Sequence, residues 1–227
     1  MNVRKGYQEE LYEINAQLHE MGNRTIVFVS KAVEALVAFD AETAETIRQN
    51  ERVIDALHED IEEKCIRIIA TQQPVASDLR FLIAAIKISS EIERIADYAN
   101  NIAKITHKKL SGLDLAPILH LQQLVKDMGS LVITLLSDTL GAYESKNHDF
   151  VINAKERDAE VNAANRKLLN LMIETGRNNG NLTQAMLEMH AAIRYLERAA
   201  DRTVNIAEWV FYLGTGFRYV KPKKVKC

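Results

Sequence analysis

The sequence predicts an all-α protein: two tandem antiparallel three-helix bundles related by internal duplication, six long helices in all. Three observations predict it. The chain is 47% hydrophobic but only 6% aromatic, and it is rich in Ala, Leu, Ile, Glu, Lys and Arg, which favours helix over sheet. It has three prolines, Pro74, Pro117 and Pro222, and the long intervals between them carry helical periodicity. Finally, EIERIADYANNIA (Glu91 to Ala103) returns 104 positions later as YLERAADRTVNIA (Tyr195 to Ala207), with seven identities in thirteen residues. A repeat of that quality points to a duplicated unit.

The first helix is expected from near Val3 to Phe39, with Asp40 capping the next. The second runs from about Ala41 to Thr71, with Ile54, Leu57, Ile61, Cys65 and Ile68 on one stripe. The third is expected to start at Pro74, a residue tolerated in a helical first turn, and to run to about Lys108. Its seam is the clearest in the chain: Phe81, Ala85, Ile88, Ile92, Ile95, Ala99 and Ile102 alternate spacings of four and three. Ser111 to Asp114 breaks the pattern, with Asp114 a second expected cap. Three further helices follow, at about Leu115 to Lys146, Asp149 to Arg177 and Leu182 to Leu213. Asn147 stands as a cap where Asp40 stood, Arg177 to Asn181 reads as a turn, and Gly214 and Gly216 close the last helix.

The halves match outside the opening motif as well. Met21-Gly22 recurs as Met128-Gly129 and Asp40 as Asn147, both 107 residues on. The expected division is therefore a first bundle repeat over residues 1–110, a second over 111–220, and a basic, mobile tail over 221–227. Helices of about thirty residues would each be roughly 45 Å long, giving elongated bundles.

Several function classes are set aside at this level. A net charge of −2 gives no general attraction to nucleic acid or to membranes. Cys65 and Cys227 form neither a disulfide framework nor a zinc motif, and Cys65 reads as a small core residue. No apolar run suggests a signal peptide or a membrane span, so a cytoplasmic protein is expected. The chain has no phosphate loop, dinucleotide fingerprint or nucleophile elbow. None of its six histidines stands three residues after a glutamate, so the Glu-x-x-His pair of di-iron bundles is missing. His58 reads as a boundary residue, and His107 and His148 as ordinary helix-end histidines. The expectation is that the protein is not an enzyme.

What the repeat preserves is polar as well as apolar. Glu93, Asp97 and Asn101 are spaced four apart and form one row on the third helix, with the row on the side away from the seam. Glu197, Asp201 and Asn205 repeat it. Glu51, Asp55 and Glu59 make a similar row on the second helix, and a short antiparallel connection would bring the two rows to one face. In the second half the matching row is Asp158, Asn162 and Arg166, poorer in acid. The candidate metal ligands are Glu93, Asp97, Glu197 and Asp201, with Asp55 and Glu59 as helpers. Such oxygen donors suit magnesium, manganese or iron better than zinc or copper. The competing reading is a solvated helix face, with Arg94 and Arg198 as local partners worth little each.

Arg67 to Ala103 contains Gln73-Pro74, Asp78-Leu79-Arg80 and Glu93-Arg94-x-x-Asp97, and LERAADRTVNIAEWVFYL follows in the second half. With these motifs the chain resembles the PhoU family of phosphate-transport regulators over nearly its whole length. The resemblance implies a non-enzymatic negative regulator of phosphate uptake and phosphate-starvation signalling. It implies contacts with the ATPase subunit of the phosphate ABC transporter and with a phosphate-sensing histidine kinase, so that the membrane is reached only through partners. It also implies metal clusters, of iron, zinc, manganese or magnesium, on the Glu93/Asp97 and Glu197/Asp201 pairs, and a homodimer. Asn162 and Arg166 depart from the acidic pattern. Two alternatives are a metal-dependent helical-bundle enzyme and a passive helical scaffold.

Overall fold

The computed structural model describes residues 3–49, 52–111, 113 and 116–220. Seven α-helices carry it: α1 (Val3–Ala38), α2 (Ala41–Gln49), α3 (Arg52–Gln72), α4 (Ala76–Ile105), α5 (Gln122–Glu144), α6 (Val151–Asn178) and α7 (Thr183–Thr215). Helices α2 and α3 together take the position of the second long helix expected from the sequence, so six helical rods stand in two groups of three. Among the described residues there is no strand. Asp114, expected to cap the fourth rod, and the 221–227 tail lie outside the described residues.

The helix ends show both agreement and departure. Asp40 caps α2, its carboxylate accepting from the backbone N–H groups of Glu42 and Thr43, each at 3.0 Å. The Thr43 hydroxyl also donates to this carboxylate, at 2.6 Å, and that bond first, then the backbone bonds, holds the Asp40 pKa below the ordinary value. Asn147 makes no such side-chain cap, and a 3-10 turn, His148–Phe150, leads into α6 instead. Pro74 lies ahead of α4, whose N-cap is Val75. Pro117 falls in a 3-10 segment, Ala116–Leu121, that feeds α5. Beyond Ile105 the fourth helix loosens into a π turn, Thr106–Leu110.

The duplication is visible in the backbone itself. Phe39 and Lys146, 107 residues apart, both have φ of 54°. Around them the same pair of bonds closes α1 and α5: Asp40 N–H to Ala35 O at 2.9 Å and Phe39 N–H to Leu36 O at 3.3 Å, then Asn147 N–H to Ala142 O at 2.8 Å and Lys146 N–H to Tyr143 O at 3.3 Å. This is the left-handed helix stop that glycine usually supplies, here made by a non-glycine residue in both copies.

One core runs through both groups. From Ala85 to Ile102 every expected seam position of α4 is buried, as are Leu196, Ala199, Thr203 and Ile206 on α7. Phe81 is only partly buried and packs on the edge. Cys65 is fully buried and its thiol is pushed up to about 12 by burial and the nearby Glu62.

Burial also extends to a second face that the seam does not account for: Ala96 and Ala103 on α4, Ala200 and Ala207 on α7. Here α4 and α7 pack on each other more extensively than any other pair of helices. They run antiparallel, with Arg80 against Leu213, Glu91 against Arg202 and Tyr98 against Tyr195. Helices α1 and α5 do the same. A Cβ on Gly22 would lie 2.7 Å from Leu140, and one on Gly129 would lie 2.5 Å from Val33. Since Gly22 corresponds to Gly129 and Val33 to Leu140, these are two halves of one reciprocal contact, as in a two-fold interface. The bundles therefore stand side by side, and the glycine of the repeated Met-Gly is a point of close approach between their helices.

Candidate functional site

The site residues of the first repeat come from two antiparallel neighbours. A short connection joins α3 to α4, which turns Asp55 of α3 toward Glu93 and Asp97, one turn apart on α4. The electrostatics report that convergence. Glu93 is pushed up to about 7, first by burial, then by the negative charges of Asp97 and Asp55, with Arg94 opposing. Asp55 is raised by burial, then by Asp97 and Glu59, with His58 opposing. Glu59 sits exposed at the rim. His58 is half-buried and its Nδ1 lies 3.0 Å from Ser89 Oγ. Glu51 lies outside the described residues.

The second repeat builds its cluster one turn away from where the sequence repeat points. Asp158 on α6 faces Asp201 and Glu197 on α7. It is raised by burial, then by those two carboxylates, with Lys155 and a hydrogen bond from Asn162 opposing. Asn162 Nδ2 donates to Asp158 Oδ2 at 3.0 Å, while Asp158 Oδ1 is buried with no hydrogen-bond partner. Asp201 is raised by burial and then by Glu197, with Arg202 opposing. The groove that holds Asp158 and Asp201 is also lined by Lys155, Arg166 and Arg202, so this site is electrostatically more mixed than the first.

All six predicted ligands thus fall on the two helix pairs, with Asp55, Glu93 and Asp97 drawn together and Glu59 at their edge. Glu197 and Asp201 are drawn together with Asp158, which sequence reasoning did not choose. The 107-residue offset matches Asp55 to Asn162 and Asp158 to Glu51, so attention fell one turn too late. The signal available was Asp158 itself, four residues before Asn162 on the same face.

The asparagines leave the row. Asn101 Nδ2 donates to its own helix at Asp97 O, 2.9 Å away, and Asn205 Nδ2 reaches across to Glu91 at 3.4 Å. Arg198 lies over the Tyr195 ring at 5.5 Å. The face is also less solvated than expected, since Glu93, Asp97 and Glu197 are half-buried. His107 and His148 do more than end helices: each donates from Nδ1 at 3.0 Å to a carbonyl of a packed neighbour, Ala41 and Val210 respectively.

Chemically, each site gathers like charges on neighbouring helices, half-buried at Asp55, Glu93, Asp97, Asp158 and Glu197 and exposed at Glu59 and Asp201. That arrangement raises pKa values and favours either a proton or a cation. The donors are all carboxylate oxygens, and Asp158 Oδ1 is left without a partner, so the residues fit a hard cation. Among the described residues, no group of three or more His, Cys, Asp or Glu side chains is already close enough together to hold a metal ion. Binding would therefore need side-chain adjustment. No helix among the described residues is long and apolar enough to cross a membrane.

The sequence matches the PhoU domain family twice, over residues 18–106 and again over residues 125–210. The chain belongs to the PhoU family. Among PhoU relatives, it is 35% identical to a phosphate-specific transport system accessory protein PhoU homolog of Clostridium acetobutylicum, over 94% of this chain and 96% of that one. It is 34% identical to the homolog of Caulobacter vibrioides, over 93% and 91%. The fold is shared with the crystal structure of PhoU from Pseudomonas aeruginosa, at a TM-score of 0.85 and 29% identity, over 93% of this chain and all of that one. The phosphate transport system regulatory protein PhoU from Streptococcus pneumoniae matches at the same TM-score and 28% identity, over 95% and 100%.

Proposed function

We propose that this protein is a non-enzymatic accessory regulator of phosphate-specific transport, a negative regulator of uptake and of starvation signalling that works through its helical surfaces. The observation that carries the reading is the full-length likeness to relatives named for that accessory role. The site chemistry agrees with it: the sequence has no phosphate loop, and the Ser89 hydroxyl beside His58 is fully buried and donates to Ile86 O at 3.0 Å, so it is not presented as a nucleophile. In this reading the protein is cytoplasmic and meets the membrane through two partners, the ATPase subunit of the phosphate ABC transporter and a phosphate-sensing histidine kinase. A pull-down from phosphate-replete cells should recover one of the two. Recovery of neither, with controls that succeed, would count against it.

The carboxylates would hold divalent cations: Asp55, Glu93 and Asp97 in the first repeat with Glu59 at the rim, and Asp158, Glu197 and Asp201 in the second. Magnesium, manganese and iron fit the oxygen donors better than zinc. A bound cation would neutralise the clustered charge and so stiffen α3 on α4 and α6 on α7. Because Glu93 must lose its proton to act as a ligand, affinity should rise with pH through about 7. A titration of the metal-free protein with manganese at pH 6 and pH 8 checks this, and equal affinity at the two values would contradict it.

A homodimer also belongs to the reading, tested by light scattering on the eluted protein. Because the α4 seam from Ala85 to Ile102 is buried within the chain, the dimer would have to use other surfaces.

A further inference from the structure

We infer that the cleft between the two repeats, at the end of the molecule where α1 and α4 begin and α5 and α7 finish, binds a purine nucleoside monophosphate. The inference is independent of the transport and cation readings. It rests on the walls of the cleft, on its departure from the duplication and on the hydrogen-bonding groups it leaves open.

All four of those helices line the cleft, so both repeats contribute to it. It holds about 630 Å³, inside the range of roughly 300–1,000 Å³ usual for small-molecule sites, which favour domain interfaces and aromatic walls. Its rings are Tyr12, His19, Phe81, Tyr143 and His148, with the His19 and Tyr143 centroids 5.4 Å apart. His148 owes its place to a glycine. A Cβ on Gly214 would lie 2.0 Å from His148 Cδ2, so the imidazole rests against bare α7 backbone. A cleft walled by rings takes a planar aromatic ligand by stacking.

The duplication shows that these walls are particular to one end. The offset of 107 that pairs Phe39 with Lys146 also pairs Leu36 with Tyr143, Val37 with Glu144 and Ala41 with His148. In the first repeat all four positions are apolar, and Leu36 is fully buried. In the second they carry an ammonium, a phenol, a carboxylate and an imidazole. Such a departure marks a functional or a strained position. Strain does not account for it, because Lys146 alone of the four has a left-handed backbone and its counterpart Phe39 has the same one.

The polar groups are already oriented by partners. Tyr143 Oη donates to Asn15 Oδ1 at 2.6 Å, His19 Nδ1 lies 2.7 Å from Glu144 Oε1, and His148 Nδ1 donates to Val210 O at 3.0 Å. That leaves Asn15 Nδ2 to donate and Nε2 of each neutral imidazole to accept. A purine edge is complementary, with an exocyclic amine to give and a ring nitrogen to accept. The two-ring base is favoured over a pyrimidine because stacking grows with the ring area covered. Glu144 is engaged by His19, so Lys146, exposed at the rim, is the unpaired charge among the described lining residues. One ammonium matches one phosphate. A nucleic-acid strand is not suited by a single lysine on a chain of net charge −2.

The experiment is calorimetric titration of the full-length protein in chelator, which keeps cations off the carboxylate clusters, with AMP, GMP, CMP, adenosine and inorganic phosphate as probes. AMP and GMP should bind once per chain, CMP and adenosine more weakly, and phosphate more weakly still. Tyr12→Ala, at a side chain 75% exposed, should leave helical circular dichroism unchanged and weaken AMP and adenosine alike, on the order of tenfold. Lys146→Gly, which relieves a left-handed φ of 54° at a non-glycine residue, should weaken AMP about two- to fivefold and leave adenosine untouched. No AMP binding, CMP as tight as AMP, or undiminished AMP binding by either variant would overturn the inference. So would equal losses of AMP and adenosine in Lys146→Gly, or tighter binding of a single-stranded oligoadenylate than of AMP.

Discussion

Glu93 concentrates the chemistry of the first repeat in one carboxyl group. It is half-buried, faces two other carboxylates, and has only Arg94 opposing them, so it holds its proton up to about pH 7. The sign of the stability effect follows. A carboxyl whose folded pKa lies above its unfolded value of 4.5 binds its proton more tightly when folded. Stability is therefore present at low pH and is lost as pH rises through the window from about 4.5 to about 7. The melting temperature of metal-free protein should fall across that window. Glu93→Gln should flatten the fall and melt above wild type at pH 8. Lys146 offers a second test at this scale. It holds a left-handed φ of 54° without being glycine, and it is exposed. Lys146→Gly should stabilise the protein by about 0.5–1 kcal/mol in denaturant unfolding, because the strain relieved outweighs the added unfolded-state freedom.

Between elements, the decisive contacts are those made by small residues. Gly129 lets α5 lie against Val33 of α1, and Gly22 lets α1 lie against Leu140 of α5. Val33 is β-branched and stiff, whereas the end of Leu140 can rotate away. Gly129→Ala should therefore cost about 1–3 kcal/mol from overpacking, offset in part by better helix propensity, and Gly22→Ala should cost less. Adding Val33→Ala to Gly129→Ala should recover part of the loss, and a double-mutant cycle measures it. The helices themselves were legible in the sequence, because a period of four and three over Ala85 to Ile102 has few other meanings. Their partners were not. Ala96, Ala103, Ala200 and Ala207 lie off the seam, and a small residue off a seam reads equally well as surface or as close approach. Asp158 was missed for a related reason: repeat arithmetic aligns residues along the chain, while the cluster forms across helices.

For the molecule as a whole, the two repeats are one folding problem. The α4–α7 and α1–α5 contacts bury one face of each repeat on the other. Residues 1–110 alone would expose Ala96, Ala103 and Val33 to water, and should lack cooperative unfolding by circular dichroism. Mixing with residues 111–220 should restore it. The proposed cation sites on α3–α4 and α6–α7 share this scaffold, and the cation count of the whole protein would read their occupancy. The most direct measurement is elemental analysis of protein purified without added metal, wild type beside Glu93→Ala/Asp97→Ala and Glu197→Ala/Asp201→Ala. Each double variant should lose part of the bound metal, the first more than the second, since Lys155, Arg166 and Arg202 crowd the second site. Metal content unchanged in Glu93→Ala/Asp97→Ala would contradict the assignment of the acidic rows.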